Sequence, residues 1–193
     1  MINDIEGLQQ LLRDLGIESP KIIYRSINKA LTGVRTDAVN AVYQQLNLTK
    51  TRIRKDFDAP VKAHAGKLRG SIAARGKPVG LMSFGAKQLK NGTISVKVLR
   101  GGSKKKLKHS FIATAKGAEN VWWRKTIYKR PVKPGVNYAK LPKKYRLPVE
   151  LRSGPRIEDI LAKSAVYSDV ELKGWTRLRA EYARLLRIEL NRH

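Results

Sequence analysis

An α+β fold, with N-terminal helices, a central mostly antiparallel sheet carrying long basic loops, and C-terminal helices, is predicted by three observations. Apolar residues recur at helical spacing up to about Phe57, and again from Gly154 onward. Between them, from Val61 to Leu151, short β-branched and aromatic runs sit between frequent glycines. Helices and strands are segregated along the chain, without βαβ alternation or internal repeat. A chain of 193 residues with 41% hydrophobic content suits one α+β domain, residues 1–193, able to bury a core. By element type it divides into an N-terminal helical region over residues 1–58, a basic β-rich region over residues 59–152 and a C-terminal helical region over residues 153–193.

Each element has its own signals. Ile2, Ile5, Leu8, Leu12 and Leu15 share a helical face that ends at Gly16. Ser19 and Pro20 form a helix start, and Ile23, Ile27, Ala30, Leu31, Val34, Ala38, Ala41 and Val42 form a stripe running to about Asn47. Thr49 is placed to cap a brief third helix through Phe57. Ile94, Val96 and Val98 alternate with polar residues, and Phe111-Ile112, Val121 to Trp123 and Leu147 to Leu151 read as further strands, four to six in all. Residues 100–109 (RGGSKKKLKH) are expected to be a loop between strands, and Thr126 to Tyr145, with three prolines and many basic residues, has no hydrophobic period. Both stretches, 100–109 and 125–146, read as mobile arms that order on a partner. Gly154-Pro155 is expected to start a helix reaching about Tyr167, and Asp169 to cap a last one bearing Leu172, Trp175, Leu178, Tyr182, Leu185 and Leu186 on one face.

The formal charge of +26 is concentrated in the middle of the chain. Residues 1–20 carry −3 and residues 153–193 carry +2, whereas the sixty residues between Asp58 and Glu119 contain fourteen Lys and Arg and no acid. Such charge opposes compaction by self-repulsion, so a polyanion or an acidic protein face relieves it. The bland alternative is a solvated charged surface with no specific ligand. The candidate anion contacts are Arg52, Arg54, Lys55, Lys67, Arg69, Arg75, Lys77, Arg100, Lys104, Lys105, Lys106, Lys108, Lys129, Arg130, Lys143 and Lys144. The absence of cysteine removes disulfides and thiolate metal sites. An acidic opening and the lack of an ~18-residue apolar run argue for a protein made and used in soluble form, with no membrane partner.

Catalytic patterns are weak. Gly70 to Lys77 (GSIAARGK) has five residues between its glycines where a phosphate-binding loop has four, and Pro78 where a magnesium-binding hydroxyl belongs. Asp159, Glu171 and Lys173 approximate a metal-dependent nuclease set but fall on helices, not adjoining strands. His64, His109 and His193 share no metal spacing, and Ser71, Ser83, Ser95, Ser103 and Ser110 occupy no G-x-S-x-G turn. No cofactor and no enzymatic activity is expected. Phe84, Phe111, Trp122, Trp123, Tyr128, Tyr138 and Tyr145 lie among basic residues, where stacking on bases competes with burial in the core; adjacent Trp122 and Trp123 must face opposite sides of a strand.

The run Ser110-Phe111-Ile112-Ala113-Thr114, then Gly117, Asn120 to Arg124, Leu147 to Leu151 and Gly154-Pro155 resembles the minor tail protein Z family of tailed bacteriophages. Ile5 to Leu8, Asn28 and Ala30, the basic Lys50 to Lys55 segment and Ile94 to Gly101 look similar to that family as well. Phe111, Gly117, Arg124, Pro148, Gly154 and Pro155 match its motif, while residues 125–146 look like an insertion to which no family role carries over. The resemblance implies a non-enzymatic tail completion protein in the virion, at the head-proximal end of the tail where tail and head join. Implied partners are other neck and tail proteins, including the tail terminator and head completion proteins, and the end of packaged DNA. A homo-oligomeric ring, six copies by match to the tail, is expected. The alternative from charge alone is a nucleic-acid-binding module acting through the central basic stretch.

Overall fold

The computed structural model describes residues 19–115, 117–124 and 149–191, and the fold is α+β. The expected first helix over 2–15 and the arm at 125–146 lie outside the described residues. Helix α1 spans Ser19–Gln45, α2 Lys50–Arg54, and a 3-10 turn Leu81–Phe84. Strands β1 (Lys87–Gln88), β2 (Ile94–Val96) and β3 (Lys105–Leu107) form one antiparallel sheet in that order. Strands β4 (Ser110–Ala115), β5 (Ala118–Arg124) and β6 (Val149–Leu151) form a second. Helices α3 (Ile157–Leu161) and α4 (Ser164–Leu190) follow.

The described residues form two compact units assembled from interleaved segments: 19–41, 55–75 and 161–191 in the first, 42–54, 76–115, 117–124 and 149–160 in the second. These units cut across the division by element type. Helix α1 contributes to both, which suits its length and its stripe Ile22, Ser26, Ala30, Ala38 and Val42, all buried at four- or eight-residue intervals. The buried Ser26 hydroxyl is satisfied by donating to the Ile22 carbonyl at 2.7 Å.

In the first unit, residues 55–75 fold back on themselves as an irregular antiparallel ribbon. Its bridges are Phe57↔Ala74, Val61↔Ser71 and His64↔Lys67, with the turn at Ala65-Gly66. Asn28 of α1 binds the ribbon as a strand would: its Nδ2 donates to the Ala63 carbonyl at 2.9 Å and its Oδ1 accepts from the Ala63 amide at 2.8 Å. Gly70 meets Leu31 and Ile27 so closely that a methyl group there collides with Leu31. Helix α4 packs Tyr182, Leu185 and Leu186 around Ile22. Gly33 and Gly174 mark its approach to α1, where the Arg177 guanidinium crosses Gly33 and grips Asp37 at 2.8 and 3.1 Å.

The second unit has its core in Leu46, Ile53, Val79, Phe84, Ile94, Val121 and Ile157, each at most 1% exposed. Thr49 caps α2 as its position predicts, its hydroxyl accepting from the Arg52 amide at 3.2 Å. Arg156 precedes α3 with its amide on the Asp159 carboxylate at 3.4 Å, which places the start of this helix just after Gly154-Pro155.

Two expectations are corrected. The tract 100–109 is not wholly a loop: Lys105–Leu107 is strand β3, with Lys105 opposite Val96 and Leu107 opposite Ile94. Its lysines hide the strand from a propensity reading because an edge strand with one open face needs few apolar residues. Asp169 does not cap the last helix, which begins five residues earlier, at Ser164, after an extended Lys163, so the helix expected to reach about Tyr167 ends at Leu161. Its carboxylate instead pairs with Lys173, one turn on, at 2.7 Å. Aspartate serves both uses, and nothing resembling a glycine or proline marks the true break at Ala162-Lys163.

Candidate functional site

Strand pairing in the second unit assembles a basic face. Lys87 lies opposite Ser95, and Ser95 opposite Lys106, so these three share one face of the sheet while Ile94 and Val96 point into the core on the other. At about 4.8 Å per strand the backbones of Lys87 and Lys106 stand roughly 10 Å apart. Lys104, Lys105 and Lys108 are exposed on and beside the edge strand β3. Lysines at a sheet edge also block edge-to-edge pairing with another chain, a purely structural use of the same charges.

The ribbon gives the first unit its own basic surface. Lys55, Lys62, Lys67 and Arg69 are exposed along it, and Arg75 at its base forms an exposed ion pair with Asp58 at 3.3 Å. Gly70 to Arg75 runs along the return arm of the ribbon, where Gly70 packs against Leu31 and Ile27 of α1. Lys77 is exposed just beyond it, in the second unit.

On α2, Arg52 and Arg54 flank Ile53, whose complete burial fixes the orientation of the helix. Arg100 is committed to the fold. Its backbone amide donates to the Gln45 carbonyl, its Nε to the Tyr43 carbonyl at 2.7 Å and its Nη2 to the Leu48 carbonyl at 3.3 Å, while its guanidinium stacks 3.8 Å from the centroid of the Tyr43 ring. It thereby supplies donors to carbonyls at the C-terminus of α1 that no intrahelical amide reaches. Lys129, Arg130, Lys143 and Lys144 lie outside the described residues.

The motif positions behave as a packing set. Phe111 faces Trp122 across β4 and β5, and Leu151 continues the row on β6. Trp122 and Trp123 point to opposite faces: the Trp122 indole N–H donates to the Ala113 carbonyl at 3.1 Å, and the Trp123 ring is covered by the Arg152 guanidinium at 4.0 Å on the face that buries Val121. Gly117 turns the β4–β5 hairpin at φ 76°, a left-handed conformation that glycine adopts freely. Gly154 faces the ring of Phe84, and Pro155 is half-buried just before α3. Arg124 ends β5 with its side chain outside the described set, and Pro148 lies outside it entirely.

The nuclease-like residues are engaged locally. Asp159 accepts at the start of α3, and Lys173 is paired with Asp169 within α4. Among the described residues no group of three or more His, Cys, Asp or Glu side chains is arranged to hold a metal ion. No described helix is long and apolar enough to cross a membrane. Sequence reading missed Lys87, because a two-residue strand shows no alternation, and Lys62, which the ribbon pairing exposes. Comparison of the chain with protein-family models, with curated proteins and with solved structures found no match.

Proposed function

We propose that this chain is a non-enzymatic structural protein of a tailed-phage virion, a tail completion subunit that lets tail and head join. The sequence block from Phe111 through Arg124 to Gly154-Pro155 carries the reading. The acid-free basic stretch supports it, because a subunit at this junction packs on other virion proteins close to the end of packaged DNA. The sheet face with Lys87 and Lys106 and the ribbon with Lys62, Lys67 and Arg69 are the surfaces offered to DNA or to an acidic neighbour. Assembly into a ring of six copies through head-to-tail contacts belongs to the same proposal. Mass spectrometry of purified particles tests it: the protein is expected in a small symmetric copy number, and its confinement to the infected-cell lysate rules the proposal out.

A second reading is favoured by the same lysine row, which is exposed without needing any ring. In it the isolated protein binds nucleic acid by itself, with affinity falling steeply as salt rises. Sedimentation of the purified protein with duplex DNA across salt concentrations separates the two, since the structural reading requires no tight binding by the free subunit.

A further inference from the structure

We propose that the open cleft of about 380 Å³ between the end of α1, the start of α2 and the 3-10 turn is a binding site for a phosphate group. It is lined by Tyr43, Thr49, Lys50, Ser83, Gly85 and Arg100 among others, all in one compact unit and none of them a carboxylate.

Two cations converge on one ring. The Arg100 guanidinium lies 3.8 Å and the Lys50 ammonium 5.1 Å from the centroid of Tyr43. The fold accounts for Arg100, which serves the carbonyls of Tyr43 and Leu48 and is thereby held rigidly in place. It does not account for Lys50. An exposed ammonium at the same aromatic ring as a guanidinium gains a cation–π contact but adds like-charge repulsion, which an anion in the cleft relieves.

Phosphate suits the donor set. The lining holds an ammonium, a guanidinium and the hydroxyls of Thr49 and Ser83, drawn from three separate chain segments, and so many donors match an ion with several acceptor oxygens better than the two coplanar oxygens of a carboxylate. The cleft is open, so the phosphate can be free or carried on a larger molecule such as a nucleic acid strand. This site is separate from the sheet-face lysines and does not depend on the virion assignment.

The test is amide-resolved NMR of the full chain titrated separately with inorganic phosphate and with a short single-stranded oligonucleotide, using K50Q, S83A and, as the control outside the cleft, K163Q at an exposed lysine of the first unit. Saturable shifts at Lys50, Ser83 and Gly85 are expected. K50Q weakens binding at least about tenfold, the equivalent of one charge-assisted hydrogen bond, while K163Q leaves the cleft shifts unchanged. Shifts with inorganic phosphate identify a site for the free ion. Shifts with the oligonucleotide alone identify a backbone phosphate as the occupant. Cleft amides that stay still in both titrations, or K50Q binding as wild type does, overturn the proposal. Because Lys50 is exposed, K50Q is expected to fold, and its unperturbed spectrum without ligand checks this.

Discussion

Replacing Gly154 by alanine tests whether this motif residue is there for packing. Its φ is not left-handed, so alanine is allowed by the backbone, and its amide bond to the Val79 carbonyl at 2.7 Å survives the change. The added methyl is therefore the only perturbation. It would lie 2.6 Å from Cε2 and 2.9 Å from Cζ of Phe84, against an ordinary carbon–carbon contact of about 3.5–4.0 Å. The ring must retreat by about 1 Å, yet it is 1% exposed, and its backbone is fixed in the 3-10 turn by the left-handed Gly85 cap. Overpacking of this kind costs about 1–3 kcal/mol. With a urea m-value of about 1–3 kcal/mol/M, the unfolding midpoint falls by roughly 1 M. Tryptophan fluorescence in urea reads it out. Phe84→Leu removes the offending ring edge, so G154A in that background costs less, with a coupling of about 0.5–3 kcal/mol. A wild-type midpoint for G154A, or strict additivity in the double variant, refutes the packing role.

Asn28→Ala leaves the buried Ala63 amide and carbonyl without their partner, and a stability loss of about 1–3 kcal/mol is expected in the same urea assay; Asn28→Asp, which keeps only the acceptor, should not restore it. Burial against Ile22 raises the Tyr182 phenol above its ordinary value of 10.0, so its contribution to stability is complete below pH 10 and is lost as pH rises through the higher folded value. Unfolding between pH 9 and 12 should therefore show a steeper alkaline decline for wild type than for Tyr182→Phe, and identical curves would contradict this. Changing Lys87 and Lys106 together to Gln should reduce the salt slope of duplex DNA binding by about 0.9 for each lysine that contacts a phosphate, with the fold intact by circular dichroism; an unchanged slope removes the sheet face from DNA contact.

Where the hydrophobic period was long, as in α1 and α4, the sequence already showed the element. Where a local rule had a single meaning, as at Thr49, it also placed the boundary. The ribbon over residues 55–75 was not legible, because Asn28 and Gly70 hold it through contacts 35 and about 40 residues away in sequence and its bridges are too scattered to create alternation. Strand β3 was hidden by its lysines, and the break before Ser164 by the absence of any helix-breaking residue. For the candidate site, composition located the basic stretch, but only strand register shows that Lys106 shares a face with Lys87, and only side-chain contacts show that Arg100 serves carbonyls at the end of α1. These are pairing facts, and single-residue chemistry does not encode them.

Negative-stain electron microscopy of particles assembled with and without this gene tests the central claim most directly. The account predicts full heads and unattached tails when the gene is absent. Normally joined, infectious particles would contradict it.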